Sequence, residues 1–168
     1  PKDTLALVKT AQDSDAPIRI VETVVEINEA RKAEMADKVI AACGGSVDGM
    51  TIAMLGLTFK PNTDDMRDSP SLVIISRLQA AGATIRAYDP QGMEEASSLV
   101  EDVTFCTGTY EAMEGADALV IVTEWNAFRA LDLNRVKSLL STPILVDLRN
   151  IYNPREMEQS GFVYFSVG

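Results

Sequence analysis

The sequence contains no histidine among its 168 residues. This absence excludes Ser-His-Asp and Cys-His catalysis, histidine metal sites and imidazole general bases. Any acid–base chemistry carried by this chain must therefore use carboxylates, lysine, cysteine or tyrosine.

Cysteine is scarce as well, since only Cys43 and Cys106 occur. Two cysteines this far apart form neither a disulfide framework nor a zinc site, and we predict no bound metal. Cys43 follows an apolar helical segment and Cys106 ends a short predicted strand, so we interpret both as buried, inert thiols. The low cysteine content also predicts a cytoplasmic protein.

Long hydrophobic runs and basic charge are also lacking. The most apolar run, ALVIV at 118–122, has the length of a strand, so no membrane span is predicted. The opening PKDTLALVKT lacks the layout of a signal peptide, and we interpret the start at Pro1 as a sign of a processed or truncated product. Fifteen Lys and Arg against 25 Asp and Glu give a net charge of −10, which argues against nucleic-acid and anionic-membrane binding.

What is present is the composition of an ordinary soluble globular protein, 46% hydrophobic and 24% charged. A helix is predicted from Pro17 to Ala42, with Asp15 as its cap and Gly44-Gly45 ending it. Its first half is apolar on several faces and its second half is charged, which favours a helix that bridges two masses or pairs with a partner. The alternative is a helix that packs on its own domain.

From Met50 onward, short apolar strands alternate with helical segments. The predicted strands cover 51–59, 84–88, 103–106, 118–123, 144–148 and 162–165, and the predicted helices cover 69–81, 93–100, 110–114, 133–140 and 155–159. Six such strands separated by helices are typical of a parallel sheet with both faces covered. We therefore predict a doubly wound, mostly parallel, Rossmann-like α/β domain over residues 46–168, preceded by a long-helix region over residues 1–45.

Ligands of doubly wound sheets bind beyond the carboxyl ends of the strands, so the residues that follow the strands are the candidates for a site. A dinucleotide site would place G-x-G-x-x-G after the first strand. Only Gly56 is present there, and this domain is not expected to hold NAD in the Rossmann manner. Asp89 ends the second strand like a ribose-binding acid, but Pro90 follows it, which favours a turn or cap residue. Trp125 is interpreted as a rim or core anchor rather than a base-stacking platform.

The loop after the first strand, FKPNTDDMRDSP at 59–70, carries the strongest signal. Lys60 and Arg67 are its cations, and Arg67 lies just ahead of the helix cap Ser69, where free backbone N–H groups attract anions. Arg149, at the end of another strand on the same edge, favours a site for a small polyanionic ligand. The alternative is a solvated loop whose cations pair with Asp64, Asp65 and Asp68.

Several segments occur together in a specific order: PKDTLALV, VVEINEARK, GLTFKPNTDDMRDSPS, AYDP, TEWNAF and VDLRNIY. Together they resemble the UDP-glucose/GDP-mannose dehydrogenase family over essentially the whole chain. The resemblance implies the C-terminal part of an NAD-dependent enzyme whose NAD-binding domain would precede the long helix. The long helix would then form a homodimer, and the second α/β domain would hold the UDP part of the substrate.

By the same resemblance, the reaction is oxidation of UDP-glucose to UDP-glucuronate by two hydride transfers to NAD. The nucleophilic cysteine would fall upstream of Pro1, so the chain alone is expected to be inactive. The matched residues imply that Asp3 is catalytic, that Lys2 and Arg67 contact the cofactor, and that Phe59, Lys60 and Arg149 bind the substrate.

Three other functions stay open. GDP-mannose oxidation shares the phosphate chemistry and differs only in the contacts to the base. A response-regulator receiver would need an acidic pair directly after the first strand and an acceptor aspartate after the third. Asp64 and Asp65 come later than that, and Cys106 ends the third strand, so the sequence disfavours a receiver. A purely structural dimerisation module would bind no nucleotide.

Overall fold

The N-terminal part of the chain forms two helices. The computed structural model describes residues 2–167, with helix α1 at Lys2–Asp13 and helix α2 at Arg19–Ala42. Asp15 is not the cap of α2, and that expectation is wrong. Its backbone lies at φ 56° in the turn that closes α1, where its N–H donates to the Gln12 carbonyl.

The end of α2 follows the predicted glycine signal. Gly44 and Gly45 lie at φ 86° and 96°, which is favourable for residues without a Cβ atom. Their N–H groups donate to the carbonyls of Ala41 and Ile40, in the last turn of the helix. The predicted stop is therefore confirmed.

The rest of the chain forms a six-stranded, all-parallel sheet. Its strands are β1 (Thr51–Leu55), β2 (Thr84–Tyr88), β3 (Val103–Phe105), β4 (Ala118–Ile121), β5 (Ile144–Asp147) and β6 (Val163–Ser166). The spatial order is β3-β2-β1-β4-β5-β6, so the chain direction across the sheet reverses between β1 and β4. The predicted doubly wound α/β fold is confirmed.

Helices connect the strands. They are α3 (Pro70–Ala80), α4 (Met93–Ser97), α5 (Thr109–Met113), α6 (Asn126–Arg129), α7 (Leu133–Leu139) and α8 (Pro154–Gln159). Ser69 caps α3 by accepting from Ser71 N, which confirms its predicted role, and Asp132 caps α7 by accepting from the backbone of Asn134 and Arg135. The single turn α6 has no side-chain cap at Trp125 and was not predicted.

The predicted first strand is too long. β1 ends at Leu55 because Gly56, at φ 90°, turns the chain out of the sheet. Leu57 and Thr58 are fully buried, so the apolar run looks like strand although its end is loop.

The core lies in two layers, one on each face of the sheet. Side chains of β1 alternate between them: Ile52 and Met54 pack towards α2 and α3, while Ala53 and Leu55 pack towards the layer of Phe128. In α2, only the second half contributes buried residues, namely Ala36, Val39 and Ala42. α2 is thereby fixed to the sheet from about its midpoint onward.

The first half of α2 carries exposed apolar side chains. Ile20 is 81% exposed, Val24 45% and Ile27 58%. Their spacing places them on one side of the helix. None of the helices in residues 2–167 has the length and apolar character needed to span a bilayer.

Candidate functional site

The carboxyl edge of the sheet carries the candidate site, since β1 and β4 are adjacent there and their connections leave in opposite directions. Loops after β1, β2, β4 and β5 converge on this edge. Two regions of it differ: the crevice between β1 and β4, and a cavity between β5 and α2.

The crevice between β1 and β4 is closed by direct contact. A Cβ atom on Gly56 would lie 2.5 Å from Thr123 Cβ, so only glycine allows the two loops to approach this closely. Thr123 Oγ1 donates a hydrogen bond of 2.7 Å to the Thr58 carbonyl. A dinucleotide cannot enter here unless the loops separate.

Asp89 lies beside this crevice and is fully buried. Its Oδ2 accepts from Leu57 N at 2.7 Å and Thr58 N at 3.2 Å, and its Oδ1 accepts from Gln91 N at 2.9 Å and Gly92 N at 2.8 Å. Burial raises the pKa of the Asp89 carboxyl, but these backbone hydrogen bonds outweigh burial and bring the pKa below its ordinary value. Asp89 is thus a turn and cap residue, as its sequence context favours.

Trp125 completes the Asp89 cluster from the β4 side. Its indole Nε1–H donates to Asp89 Oδ2 at 3.1 Å, and the residue is 6% exposed. The side chain therefore anchors the core and presents no face for stacking, which agrees with its sequence interpretation.

Arg149, in the loop after β5, has a fixed orientation. Its backbone N–H donates to Asp147 Oδ1 at 3.0 Å. Its Nε donates to the Val122 carbonyl at 2.8 Å, and its Nη2 donates to the Phe59 carbonyl at 3.1 Å. Because a guanidinium has five N–H donors, three remain without an acceptor within residues 2–167 and can bind a ligand.

Glu124 lies next to the Arg149 guanidinium. Its Oε2 is 2.9 Å from Arg149 Nε, which is ion-pair distance. The Nε–H points instead to the Val122 carbonyl, so Oε2 receives no hydrogen bond from the described residues. The pair therefore leaves the free guanidinium donors available.

A cavity of about 310 Å³ opens beside Arg149 and Phe59. It lies between the loops at the sheet edge and the middle of α2. Its apolar walls come from Met35, Pro70, Ile74, Val122 and Leu148. An apolar cavity with a few fixed polar groups is the usual form of a small-molecule site.

Arg67 does not join this cavity. Its Nε and Nη2 form a two-pronged pair with Asp65, at 2.8 Å to Oδ1 and 2.7 Å to Oδ2. The hydrogen bonds from Arg67 lower the pKa of the Asp65 carboxyl to about 2. For Arg67, the structure shows the paired loop that the sequence left as an alternative, and Arg67 does not join Arg149 at the expected site for a polyanionic ligand.

The other predicted residues are dispersed. Lys60 is exposed and does not line the cavity, and Asp3 is exposed on the first turn of α1. The side chain of Lys2 lies outside the described part of the structure. Of the six residues, the structure brings together Phe59 and Arg149.

Sequence reasoning missed the contribution of α2 to the cavity. Asn28, Arg31 and Lys32 line it together with Met35. Their positions i, i+3, i+4 and i+7 are a helix-face signal, which could have identified a common surface but not the surface that it faces.

Known proteins resemble this chain in sequence. Residues 53–154 match the family model described as UDP-glucose/GDP-mannose dehydrogenase family, UDP binding domain. A UDP-glucose 6-dehydrogenase of Rhizobium meliloti is 60% identical over the whole chain, and one of Bacillus subtilis is 43% identical. The chain spans 38% and 36% of these two relatives.

A solved structure shares the fold. A UDP-glucose dehydrogenase from the hyperthermophilic archaeon Pyrobaculum islandicum superposes with a TM-score of 0.80 at 28% identity. The match covers the whole of this chain and 36% of that protein. The chain thus corresponds to rather more than one third of each of these proteins in length.

Proposed function

Since the chain belongs to the UDP-glucose/GDP-mannose dehydrogenase family, we propose that it is the UDP-sugar-binding part of a longer NAD-dependent UDP-glucose 6-dehydrogenase. One observation carries the proposal: Arg149 presents free N–H donors beside an apolar cavity at the sheet edge. A nucleoside diphosphate has the complementary properties, because it joins a flat, weakly polar base to two charged phosphates.

Three residues have substrate roles in this proposal. Arg149 forms a two-pronged contact with a phosphate, for which its fixed guanidinium is suited. Phe59 covers the ligand from the loop after β1, and its carbonyl keeps Arg149 in place. Lys60, exposed next to Phe59, turns towards the ligand as a mobile point charge.

The longer enzyme would carry out the oxidation. NAD supplies the hydride acceptor, and the closed crevice at Gly56 and Thr123 does not fit a dinucleotide, so this chain does not supply the main cofactor site. Lys2 and Arg67 would reach the cofactor from outside, and Arg67 is 77% exposed in its side chain. Asp3 would assist proton and water steps as a carboxylate on the exposed first turn of α1.

The proposal includes a covalent step on a cysteine outside this chain. The aldehyde from the first oxidation would add to that thiol as a thiohemiacetal, which would give up a hydride to a second NAD to become a thioester. Water would then hydrolyse the thioester, releasing UDP-glucuronate and the free thiol. This chain alone should therefore produce no NADH. Its α2 would form the homodimer through the exposed stripe of Ile20, Val24 and Ile27.

Calorimetric titration with UDP, UDP-glucose, GDP and NAD tests the proposal. We expect UDP and UDP-glucose to bind, with GDP and NAD much weaker. Tighter binding of GDP than of UDP would move the assignment to the oxidation of GDP-mannose. No binding of any nucleotide would leave a structural dimerisation module, and NADH production by the chain alone would contradict the assignment of the nucleophile.

A further inference from the structure

The middle of α2 forms the wall of the cavity opposite the sheet edge. Asn28, Arg31, Lys32 and Met35 all line the cavity, as does Arg149 on the other side. Residues three, four and seven positions apart share one helix face, so these side chains point the same way. A ligand in the cavity is therefore between cations from two separate elements.

This wall is held rigidly against the domain. Ala36 and Val39, in the next turn of α2, have no exposed surface, and Met35 packs on the same core cluster. Asp37 of α2 accepts from Arg77 of α3 at 2.8 Å, which adds a polar link. The distance between the α2 wall and Arg149 is thus fixed by the core and does not depend on a mobile loop.

The two α2 cations differ in their present partners. Arg31 is exposed, and its side chain makes no hydrogen bond or ion pair with any described residue. Lys32 is 15% exposed in its side chain and pairs with Glu29 at 2.7 Å. Arg31 is therefore free to bind an incoming anion, whereas Lys32 is held at the cavity wall by an exposed carboxylate that a stronger anion can replace.

The charges that face the cavity favour an anion. Arg31, Lys32 and Arg149 line it against two carboxylates, Glu29 and Asp68. Among the residues that line the cavity, cations outnumber carboxylates three to two, although Glu124 also pairs with Arg149, and this occurs in a chain whose net charge is −10. Apolar walls around the partly buried Lys32 and Arg149 strengthen their interaction with an anion, because they reduce its screening by water.

We propose that Arg31 and Lys32 are phosphate-binding residues, so that the diphosphate is held between α2 and Arg149. This inference rests on the proposed nucleotide-binding function and deepens it. Arg31 provides a two-pronged contact to one phosphate, and Lys32 exchanges Glu29 for the ligand. A ligand with two phosphates can contact both walls, whereas a ligand with one phosphate gains less.

The test is calorimetry with UDP, UMP and uridine on Arg31→Ala and Lys32→Ala variants of the chain. Arg155→Ala is the matched control, because Arg155 is exposed on α8 and its side chain has no partner among residues 2–167. We expect Arg31→Ala to weaken UDP binding about tenfold and Lys32→Ala by a similar or smaller factor, since each removes a charged hydrogen bond. Uridine affinity should be unchanged, and Arg155→Ala should change UDP affinity less than about twofold.

Each other result has a definite meaning. If both α2 variants bind UDP as well as Arg155→Ala does while Arg149→Ala binds weakly, the α2 wall has no role and the proposed function stands. If the unmodified chain binds no UDP, both proposals fail. Arg31→Lys distinguishes charge from geometry, because it should recover only part of the lost affinity if the guanidinium makes a two-pronged contact.

Discussion

The strands β2 and β5 end in similar ways, but the loop after β2 packs closely against its neighbour, whereas the loop after β5 presents a cation. A fully buried aspartate stands at each of these ends, Asp89 directly after β2 and Asp147 as the last residue of β5, and its carboxylate accepts backbone N–H groups of the following loop. After β2, the loop packs against the β1 connection and no cation follows. After β5, Arg149 presents N–H donors that have no acceptor among residues 2–167, and these lie beside a cavity.

The difference shows that a buried aspartate at a strand end can support either a closely packed loop or a loop that binds a ligand. Asp89 is followed by Pro90 and Gly92, and a Cβ atom on Gly92 would lie 2.3 Å from Thr58 Cγ2, so this loop fits closely. Asp147 instead accepts from Ile151 N and Tyr152 N at 2.7 and 3.0 Å, which leaves Leu148 and Arg149 at the rim. Ligand binding is therefore expected on the β5 side of the edge.

Replacement of Asp89 should give the largest effect. Asp89→Ala leaves several buried donors without an acceptor, and we expect the free energy of unfolding to fall by about 4 kcal/mol. Chemical denaturation measures this change. Asp64→Ala, which removes an exposed loop carboxylate, is the control and should cost less than about 0.5 kcal/mol.

The Asp89 contribution should also depend on pH. Because the folded state lowers the pKa of Asp89, its stabilisation is complete above the ordinary carboxyl pKa of 3.8 and is lost as the pH falls through the lower folded value. The unfolding free energies of the wild-type chain and of Asp89→Asn should therefore converge in acid. A difference that stays constant down to strongly acidic pH would contradict a charged Asp89.

Gly56→Ala should be the next largest change, at about 3 kcal/mol, because it adds a contact of 2.5 Å to Thr123 and a strained backbone at φ 90°. Gly44→Ala is the matched control. It has a similar φ of 86°, but a Cβ atom there would meet no described atom within 4 Å, so it should lose only about 1 kcal/mol. Equal losses in thermal unfolding would mean that the crevice is not tightly closed.

On the other side of the edge, Arg149→Ala should weaken UDP binding about 30-fold, since it removes charge-assisted hydrogen bonds to phosphate. Uridine should bind both forms alike. Arg149→Lys should fall between the two, because lysine keeps the charge but not the fork. If Arg149→Ala is folded by circular dichroism and its UDP affinity is unchanged, UDP does not bind on the β5 side of the edge.

The smallest effect is expected from Arg67→Ala. The Arg67 guanidinium is exposed and water screens its pair with Asp65, so the free energy of unfolding should hardly change and UDP affinity should not change. The pKa of Asp65 should rise from about 2 towards 3.8. Carboxyl titration by NMR measures this shift, and weaker UDP binding would show that Arg67 belongs to the nucleotide site.

Much of the fold could be predicted because its signals are local. Ser69 before Pro70 and Asp132 before Leu133 satisfy N–H groups within the next few residues, and Gly44 ends α2 through its own φ. The end of β1 was predicted too late, because Gly56 ends the strand while the buried Leu57 continues the apolar run. That burial depends on residues distant in sequence.

The candidate site was less accessible to sequence reasoning, since its geometry is set across the chain. Arg149 bonds to the carbonyl of Phe59, 90 positions away, and only the strand order brings them together. Arg67 is two residues from Asp65 in sequence. The charges of the loop alone therefore could not show whether Arg67 pairs with Asp65 or contacts a ligand. Arg31 and Lys32 face the cavity because α2 packs on the sheet, and no local sequence pattern predicts that packing.

The most direct test of the account is a titration of the ¹⁵N-labelled chain with UDP, followed by amide NMR shifts. If the ligand binds on the β5 side of the edge, the largest shift changes should occur at Phe59, Leu148 and Arg149. The indole N–H of Trp125, the one tryptophan in the sequence, reports on the Asp89 cluster and should hardly move. Largest changes at Leu57, Gly92 and the Trp125 indole would place the ligand in the crevice and contradict the account.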